Sequence, residues 1–334
     1  MPQAAFEAQT NPESPIRVME VDDAIVFRGL VTRWLAEEPD MEVVSAHRNG
    51  HEALENFDRI DPDVVVLDIE MPVLDGLATL PLLLEKKPGL TVIISSMVTR
   101  RNAEVGIKAL SLGAADYVSK PETSREITTS PVFRRELVQR IRTLGRRQRS
   151  RALLARMPEQ ARAEAVEPKP AAFKLRPYSA VAPRVLVIGS STGGPQALQV
   201  LMRGLGPVLP RLPVLITQHM PPTFTTILAE HLAGTTARPA HEGRDGEALT
   251  PGTIYVAPGA RHMRIVNNGG GRGIAIGDDP PVHFCKPAVD PLFASAAEAF
   301  GAAALAVILT GMGSDGADGA ARIAAAGGSV IAQD

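Results

Sequence analysis

The strongest constraint on the fold is a repeated pattern. Short, nearly uninterrupted apolar runs each end on polar or charged residues and are followed by a helix-length segment. IRVMEV (16–21), MEVVSAH (41–47), DVVVLD (63–68), LTVIISS (90–96) and DYVSKP (116–121) recur in this way. Strands buried on both faces read as continuous apolar runs, and their alternation with helices builds a parallel sheet. Residues 16–145 are therefore expected to form a five-stranded, doubly wound α/β domain. The pattern returns with VLVIGS (185–190), LPVLITQHM (212–220) and ALAVILTGMGSDGADG (304–319). Residues 184–334 are expected to form a second parallel-sheet domain, and a length of 334 residues accommodates both. Residues 157–183 are rich in Ala, Pro and charge, so the linker is placed at 146–183. Residues 1–15 are expected to be a disordered tail.

Bulk properties exclude several classes. The formal net charge is −2, with 45% hydrophobic and 22% charged residues, so no overall field draws the chain to nucleic acid or to a membrane surface. Cys285 is the only cysteine, which rules out an internal disulfide and suits a reducing compartment. The opening MPQAAFEAQTNPESP lacks the charged and apolar regions of a secretory signal, and no run of 18 apolar residues occurs. The expectation is a cytoplasmic protein with no direct membrane insertion. Nine arginines lie between Arg134 and Arg156. They read either as a surface for an acidic partner or nucleic acid, or as the solvated face of a helix. The second reading is preferred because the chain as a whole is not basic. Apolar residues at Val132, Phe133, Leu137, Ile141 and Leu144 give residues 131–145 helical spacing.

In the first domain the strand ends carry Asp22-Asp23, Asp68, Ser95-Ser96 and Lys120. In a parallel sheet these share the carboxyl edge, where ligands bind. Clustered carboxylates repel one another unless a cation joins them, and an all-oxygen set with room for water suits Mg²⁺. An ammonium group and a hydroxyl beside them suit the oxygens of a phosphoryl group. The segments VDD, LDIEMPVLDG, SS and KP resemble the receiver domain of response regulators, a flavodoxin-like fold, over about residues 15–145. The resemblance implies that Asp68 is the phosphoacceptor. Asp23, Asp68 and the Glu70 carbonyl would ligate Mg²⁺, assisted by Asp22. Ser95 would be the switch hydroxyl, Lys120 the phosphate-binding lysine and Tyr117 the aromatic that follows the switch. It also implies a cis bond between Lys120 and Pro121.

In the second domain, Gly189-Ser190-Ser191-Thr192-Gly193 has the G-x-S-x-G spacing, with Pro195 opening a helix-like segment. This spacing places Ser191 at the apex of a tight strand-to-helix turn, whose helix N-terminus offers N–H groups to an oxyanion. A phosphate- or nucleotide-binding turn is the rival. The turn lacks the third glycine of a dinucleotide site and the lysine of a P-loop. His219 and Asp315 each lie just past another apolar strand. Nucleophile, general base and orienting acid would then meet at one sheet edge. His231 falls within a helix, while His241, His262 and His283 have no apolar strand to deliver them. Asp290 is a rival acid, expected as a helix N-cap, and Asp318 lies one turn into the next helix. No histidine pair has zinc-ligand spacing.

The order Ser, His, Asp differs from that of α/β-hydrolases. GSSTGG, TQHMP, GRDGEALTPGTIYVAPG, PAVDPLF and LTGMGSDGADG together resemble the catalytic domain of chemotaxis protein-glutamate methylesterases, from about residue 184 to the chain end. That domain is Rossmann-like. With the receiver in front, the chain is similar to the CheB family of two-component signalling. The resemblance implies a phosphorylation-activated serine hydrolase. It would demethylate glutamate methyl esters on the cytoplasmic helices of chemoreceptors, releasing methanol, and deamidate glutamines, releasing ammonia. Ser191, His219 and Asp315 would act as nucleophile, base and acid. The Met312 N–H would stabilise the oxyanion and Thr192 would support it. A chemotaxis histidine kinase would be the phosphodonor. Two departures stand out. Cys285-Lys286 precedes Pro287 where the family usually carries arginine, and family members continue for a few tens of residues past GGSVIAQD.

Overall fold

The structure is a computed structural model, which describes residues 14–97, 99–120, 131–156, 175–311 and 313–333. They form two compact units.

The N-terminal part of the chain, residues 14–156, runs β1 (Ile16–Val21), α1 (Ile25–Ala36), β2 (Met41–His47), α2 (Gly50–Ile60), β3 (Val64–Asp68), α3 (Gly76–Lys86), β4 (Thr91–Met97), α4 (Arg100–Ser111), β5 (Asp116–Lys120) and α5 (Pro131–Arg156). Its five strands are parallel in the order β2-β1-β3-β4-β5. This is the doubly wound sheet expected from the apolar runs. Strand β3 is buried at every position, as the unbroken VVVLD requires. On one face Phe27, Trp34 and Leu35 of α1 meet Phe133, Leu137 and Ile141 of α5 over Val18, Val66 and Ile93. Phe133 lies 5.9 Å from the Phe27 ring and 6.0 Å from the Trp34 ring, within the range of favourable aromatic pairs.

Helix α5 departs from expectation. It continues past residue 145 to Arg156, because RRQRSRALLAR consists mainly of strong helix formers. Its arginines are not merely a solvated face either. Arg142 grips Asp40 at 2.7 Å and Glu38 at 2.8 Å, Arg149 meets Asp63 at 2.5 Å, and Arg140 meets Asp116 at 2.5 Å. The partners are carboxylates of the same unit, at the starts of β2 and β5 and in the turn before β3. These pairings account for part of the run, while Arg135, Arg146 and Arg147 lie exposed, as the solvated-face reading expects.

The second unit contains β6 (Val185–Ser190), α6 (Gly194–Gly204), β7 (Val214–Gln218), α7 (Phe224–Thr236), β8 (Ala240–Glu242), β9 (Ile254–Val256), β10 (His262–Asn268), β11 (Gly271–Gly277), α8 (Val289–Phe300), β12 (Ala304–Ile308), α9 (Ala317–Ala325) and β13 (Ser329–Ala332). Six strands are parallel in the order β13-β12-β6-β7-β9-β8. The chain leaves β6 toward β7 and later returns to its other side at β12. That reversal opens a crevice at the carboxyl ends of β6 and β12, where ligands bind in open α/β sheets. The antiparallel hairpin β10–β11 departs from the parallel sheet that the apolar runs predict. Its turn, NNGGG, is the local signal, since paired Asn and Gly supply the positive φ that tight hairpin turns need.

Gly145 sits inside α5, where glycine ordinarily costs stability. A Cβ there would lie 2.7 Å from Ile16 Cγ2 and 3.2 Å from Val64 Cγ2, so glycine lets the helix rest on the sheet. Gly29 of α1 is exposed, with nothing within 4 Å of its Cβ position. Gly145→Leu should therefore destabilise the first unit by about 1–3 kcal/mol through overpacking. Gly29→Ala should stabilise it by about 0.5–1 kcal/mol. Calorimetry on both variants checks this, and equal shifts in melting temperature would contradict the packing assigned to Gly145.

Candidate functional site

Two clusters occupy the carboxyl edges of the two sheets. In the first unit, Asp22 follows β1, Asp68 ends β3, Ser95 lies on β4 and Lys120 ends β5. Asp68 and Ser95 are register neighbours. Lys120 Nζ sits 2.5 Å from Asp22 Oδ2 and 2.9 Å from Asp68 Oδ2, and 4.5 Å from the centre of the Phe27 ring. Asp68 Oδ1 also accepts the Ile69 N–H at 2.8 Å. Burial pushes the Asp68 carboxyl up to about 6, opposed by Lys120 and reinforced by Asp22. Asp22 is likewise raised by burial, against Lys120.

Ligand atoms of Asp22, Asp23 and Asp68 lie within 4.8 Å of one another. Asp22 and Asp68 are buried and Asp23 is exposed, so the trio faces solvent on one side. An all-oxygen set open to water fits a hard divalent cation. Ser95 Oγ is fully buried and has no hydrogen-bond partner among the described residues. An orphaned hydroxyl on the strand next to Asp68 is placed to meet the oxygens of a phosphoryl group carried there. Tyr117 is turned inward and donates to the Ser96 carbonyl at 3.1 Å; burial raises its phenol far above the ordinary value. Glu70 lies exposed beyond β3. The Lys120–Pro121 bond lies outside the described residues.

In the second unit, Ser191 follows β6, His219 follows β7, and Asp315 lies between β12 and α9. His219 Nδ1 is 3.0 Å from Ser191 Oγ, and Nε2 is 2.7 Å from Asp315 Oδ2. Asp315 is anchored at the N-terminus of α8: Oδ2 accepts the Val289 N–H at 2.7 Å and Oδ1 the Asp290 N–H at 3.0 Å. Burial opposes its ionisation, but His219 and these two N–H groups hold the carboxyl below the usual carboxylate range. For His219, burial works against the charge. Asp315 and then Cys285 outweigh it and push the imidazole up to about 9. With Nε2–H directed at Asp315, Nδ1 is left to accept the Ser191 proton. The arrangement can carry out acyl transfer through an activated serine.

Rival residues are placed elsewhere. His231 is half-buried in α7, and His241 pairs with Glu247 at 2.7 Å. His262 Nδ1 accepts the Ala288 N–H at 3.1 Å. His283 lies 3.3 Å from Asp290 Oδ2. Asp290 is not the N-cap of its own helix, a position held by Ala288. Its Oδ1 accepts the Gly319 N–H at 2.7 Å and so caps α9 instead, a pairing between helices that local sequence cannot reveal. Asp318 lies in the first turn of α9. Thr192 is buried in the turn, while Met312 lies outside the described residues. The helix N-terminus offers fewer donors than the turn sequence implies. Ser191 N–H is spent on Thr310 O at 3.1 Å, Gly194 N–H on Ser191 O at 2.7 Å, and Pro195 has none.

Gln218 is given no role by any motif that the sequence displays. Buried at the end of β7, its Oε1 accepts the Ser190 hydroxyl at 2.7 Å and its Nε2 donates to Ser191 O at 3.0 Å. It pins both serines of the turn, and the only hint was its position before His219. A Cβ on Gly194 would lie 2.1 Å from Gln218 Oε1, so this close approach requires glycine.

Residues 186–334 match the family described as CheB methylesterase, and residues 18–130 match the response regulator receiver domain. A Rhodopseudomonas palustris protein named protein-glutamate methylesterase/protein-glutamine glutaminase of group 2 operon is 57% identical over 333 residues, covering 96% of this chain and 85% of the relative. A Nitrobacter hamburgensis protein named protein-glutamate methylesterase/protein-glutamine glutaminase is 58% identical over 325 residues, with the same coverage of 96% and 85%. Among solved structures, the Thermotoga maritima CheB methylesterase catalytic domain is 40% identical, with a TM-score of 0.44, covering 46% of this chain and 81% of that one.

Gln218→Ala should slow labelling of Ser191 by a serine-directed fluorophosphonate by about 10²-fold, the cost of misplacing a reacting group by about 1 Å. Circular dichroism should show the fold retained. Labelling at the parental rate would mean that Gln218 does not hold the turn.

Proposed function

The chain belongs to the CheB methylesterase family, with a response regulator receiver domain in front, and we propose that it is a phosphorylation-activated serine hydrolase of chemoreceptors. It removes methyl groups from glutamate esters, releasing methanol, and deamidates glutamines, releasing ammonia, in chemotactic adaptation. The observation that carries this reading is the continuous chain from Ser191 Oγ through His219 to Asp315, at 3.0 Å and 2.7 Å.

In the proposed reaction, Ser191 Oγ attacks the ester carbonyl while His219 Nδ1 takes its proton. The C–O bond to the methoxy group breaks, and His219 returns the proton to the departing oxygen as methanol leaves. Water, deprotonated by the same nitrogen, then attacks the acyl-serine; the C–O bond to Ser191 Oγ breaks, His219 returns the proton to Oγ, and glutamate is freed. Glutamine follows the same path with ammonia as the leaving group. Asp315 holds the ring by Nε2 and stabilises the imidazolium that forms in each half-reaction. The Met312 N–H and Thr192 serve the oxyanion in this reading.

At the receiver, an Asp68 oxygen attacks the phosphorus of the phosphohistidine of a chemotaxis histidine kinase, or of a small phosphodonor. A P–O bond forms and the bond to the donor breaks. Mg²⁺ bound by Asp22, Asp23, Asp68 and the Glu70 carbonyl would supply charge neutralisation for the incoming group. Lys120 and Ser95 bind its oxygens, and Tyr117 turns with the switch. This setting is the cytoplasm, with no part played by nucleic acid. Among the described residues no helix is long and apolar enough to cross a membrane.

Methanol release from a methylated receptor, with and without acetyl phosphate, tests the proposal. Ser191→Ala should lose on the order of 10⁶-fold in rate, and Asp315→Asn on the order of 10⁴-fold. Asp68→Ala should lose the stimulation by acetyl phosphate. Substantial release by Ser191→Ala would refute the serine mechanism. The pH profile follows from His219, which acts only as the neutral imidazole. Its pKa is raised to about 9, so kcat/KM should climb from pH 7 through 9 and fall away as acid protonates the ring. A flat profile across that range would contradict His219 as the base.

A further inference from the structure

Cys285 stands in the catalytic centre without a part in the reaction just described. Its Sγ lies 3.5 Å from His219 Nδ1, the nitrogen that serves Ser191. The same sulfur lies 3.5 Å from the His283 carbonyl, placed to donate its S–H there. With the S–H so engaged, the sulfur lone pairs face the imidazole. Sulfur is a weak acceptor, but within reach of an N–H in a partly buried site it stabilises the protonated ring.

The backbone holds this thiol at a cost. Val282 and Cys285 close a tight turn through two backbone hydrogen bonds of 3.1 Å and 2.8 Å. The two residues between them, His283 at φ 49° and Phe284 at φ 64°, are both left-handed and neither is glycine. Two such residues in succession suit a turn with positive φ at both central positions, which usually carries Asn or Gly. Strain of this kind persists where the surroundings over-determine it, and it gathers at functional sites.

Resting on the esterase reading of this centre, we propose that Cys285 is a positioning residue that acts through His219. It offers Nδ1 a second partner in competition with Ser191 Oγ and favours the imidazolium over the neutral base. The titratable groups facing the ring among the described residues are Asp315, at Nε2, and Cys285, at Nδ1. Neighbouring charges are engaged elsewhere: Lys286 with Asp278 at 2.8 Å, and Asp290 with Gly319 N–H at 2.7 Å and with His283 Nε2 at 3.3 Å. Asp315 thus favours the charged ring from one side and the sulfur from the other, in line with the raised basicity of His219. In catalytic terms, the thiol supports the imidazolium formed when Ser191 attacks. It also keeps a larger share of the resting enzyme in the form that cannot accept a proton.

The test titrates the His219 ring by NMR in the full-length chain carrying labelled histidine, and in parallel measures the pH dependence of methyl-ester hydrolysis. Cys285→Ala should lower the His219 midpoint by about one pH unit, the size of one modest hydrogen bond to a charged group. The rising limb of kcat/KM should shift to lower pH by the same amount. Cys285→Ser, whose hydroxyl can also accept, should restore most of the shift. An unchanged NMR midpoint in Cys285→Ala overturns the inference, whatever the activity. So does a lowered midpoint that Cys285→Ser fails to raise, since that would reflect a rearranged ring. A shifted midpoint in a protein that hydrolyses no receptor ester would leave the inference standing and remove the esterase reading instead.

Discussion

The second unit depends on the parallel register of β6 between β7 and β12. That register aligns Ser190 with Gln218 and Gly189 with Ile308, so the loops beyond these strands emerge side by side. Two backbone hydrogen bonds extend the alignment past the strand ends: Ser191 N–H to Thr310 O at 3.1 Å, and His219 N–H to Ser190 O at 3.2 Å. Side chains 28 and 96 residues apart in sequence thereby meet at hydrogen-bond distance. A slip by one residue would turn Gln218 out of the core and carry His219 away from Ser191.

Charge buried at strand ends must be compensated, and the two units do this differently. In the receiver, Asp22 and Asp68 share the ammonium group of Lys120. Both carboxyls remain elevated, because burial outweighs that single cation. In the CheB methylesterase domain, Asp315 is served by two N–H groups at the start of α8 and by His219, and its carboxyl is held low. An open helix N-terminus stabilises a carboxylate without bringing in a second full charge. Asp315 is thus firmly ionised while the receiver carboxylates are left wanting a further cation.

Several features could be read from residues alone. IRVMEV and MEVVSAH are the strands at Ile16–Val21 and Met41–His47, and VLVIGS is the strand at Val185–Ser190. Strands buried on both faces announce themselves by composition. Residues just beyond them fall on a common edge whenever the strands are parallel, which is how Ser191, His219 and Asp315 could be singled out. The arginines of α5 were harder to read. A run of cations looks alike whether it faces water, a partner or the domain's own carboxylates, and Asp40, Asp63 and Asp116 are remote from it in sequence.

The sequence by itself determined the parallel class of both sheets, five strands of the first and three of the six in the second, the carboxyl edges on which chemistry can occur, and the residue types that stand there. Each follows from local composition and from the fixed direction of parallel strands. Only the tertiary structure decided which imidazole nitrogen faces Ser191, that Gln218 pins the turn, that Asp290 caps α9, and that Cys285 stands beside His219. These are contacts between segments far apart in the chain. They depend on strand order and helix placement to within an ångström, and no local pattern of residues encodes separations that fine.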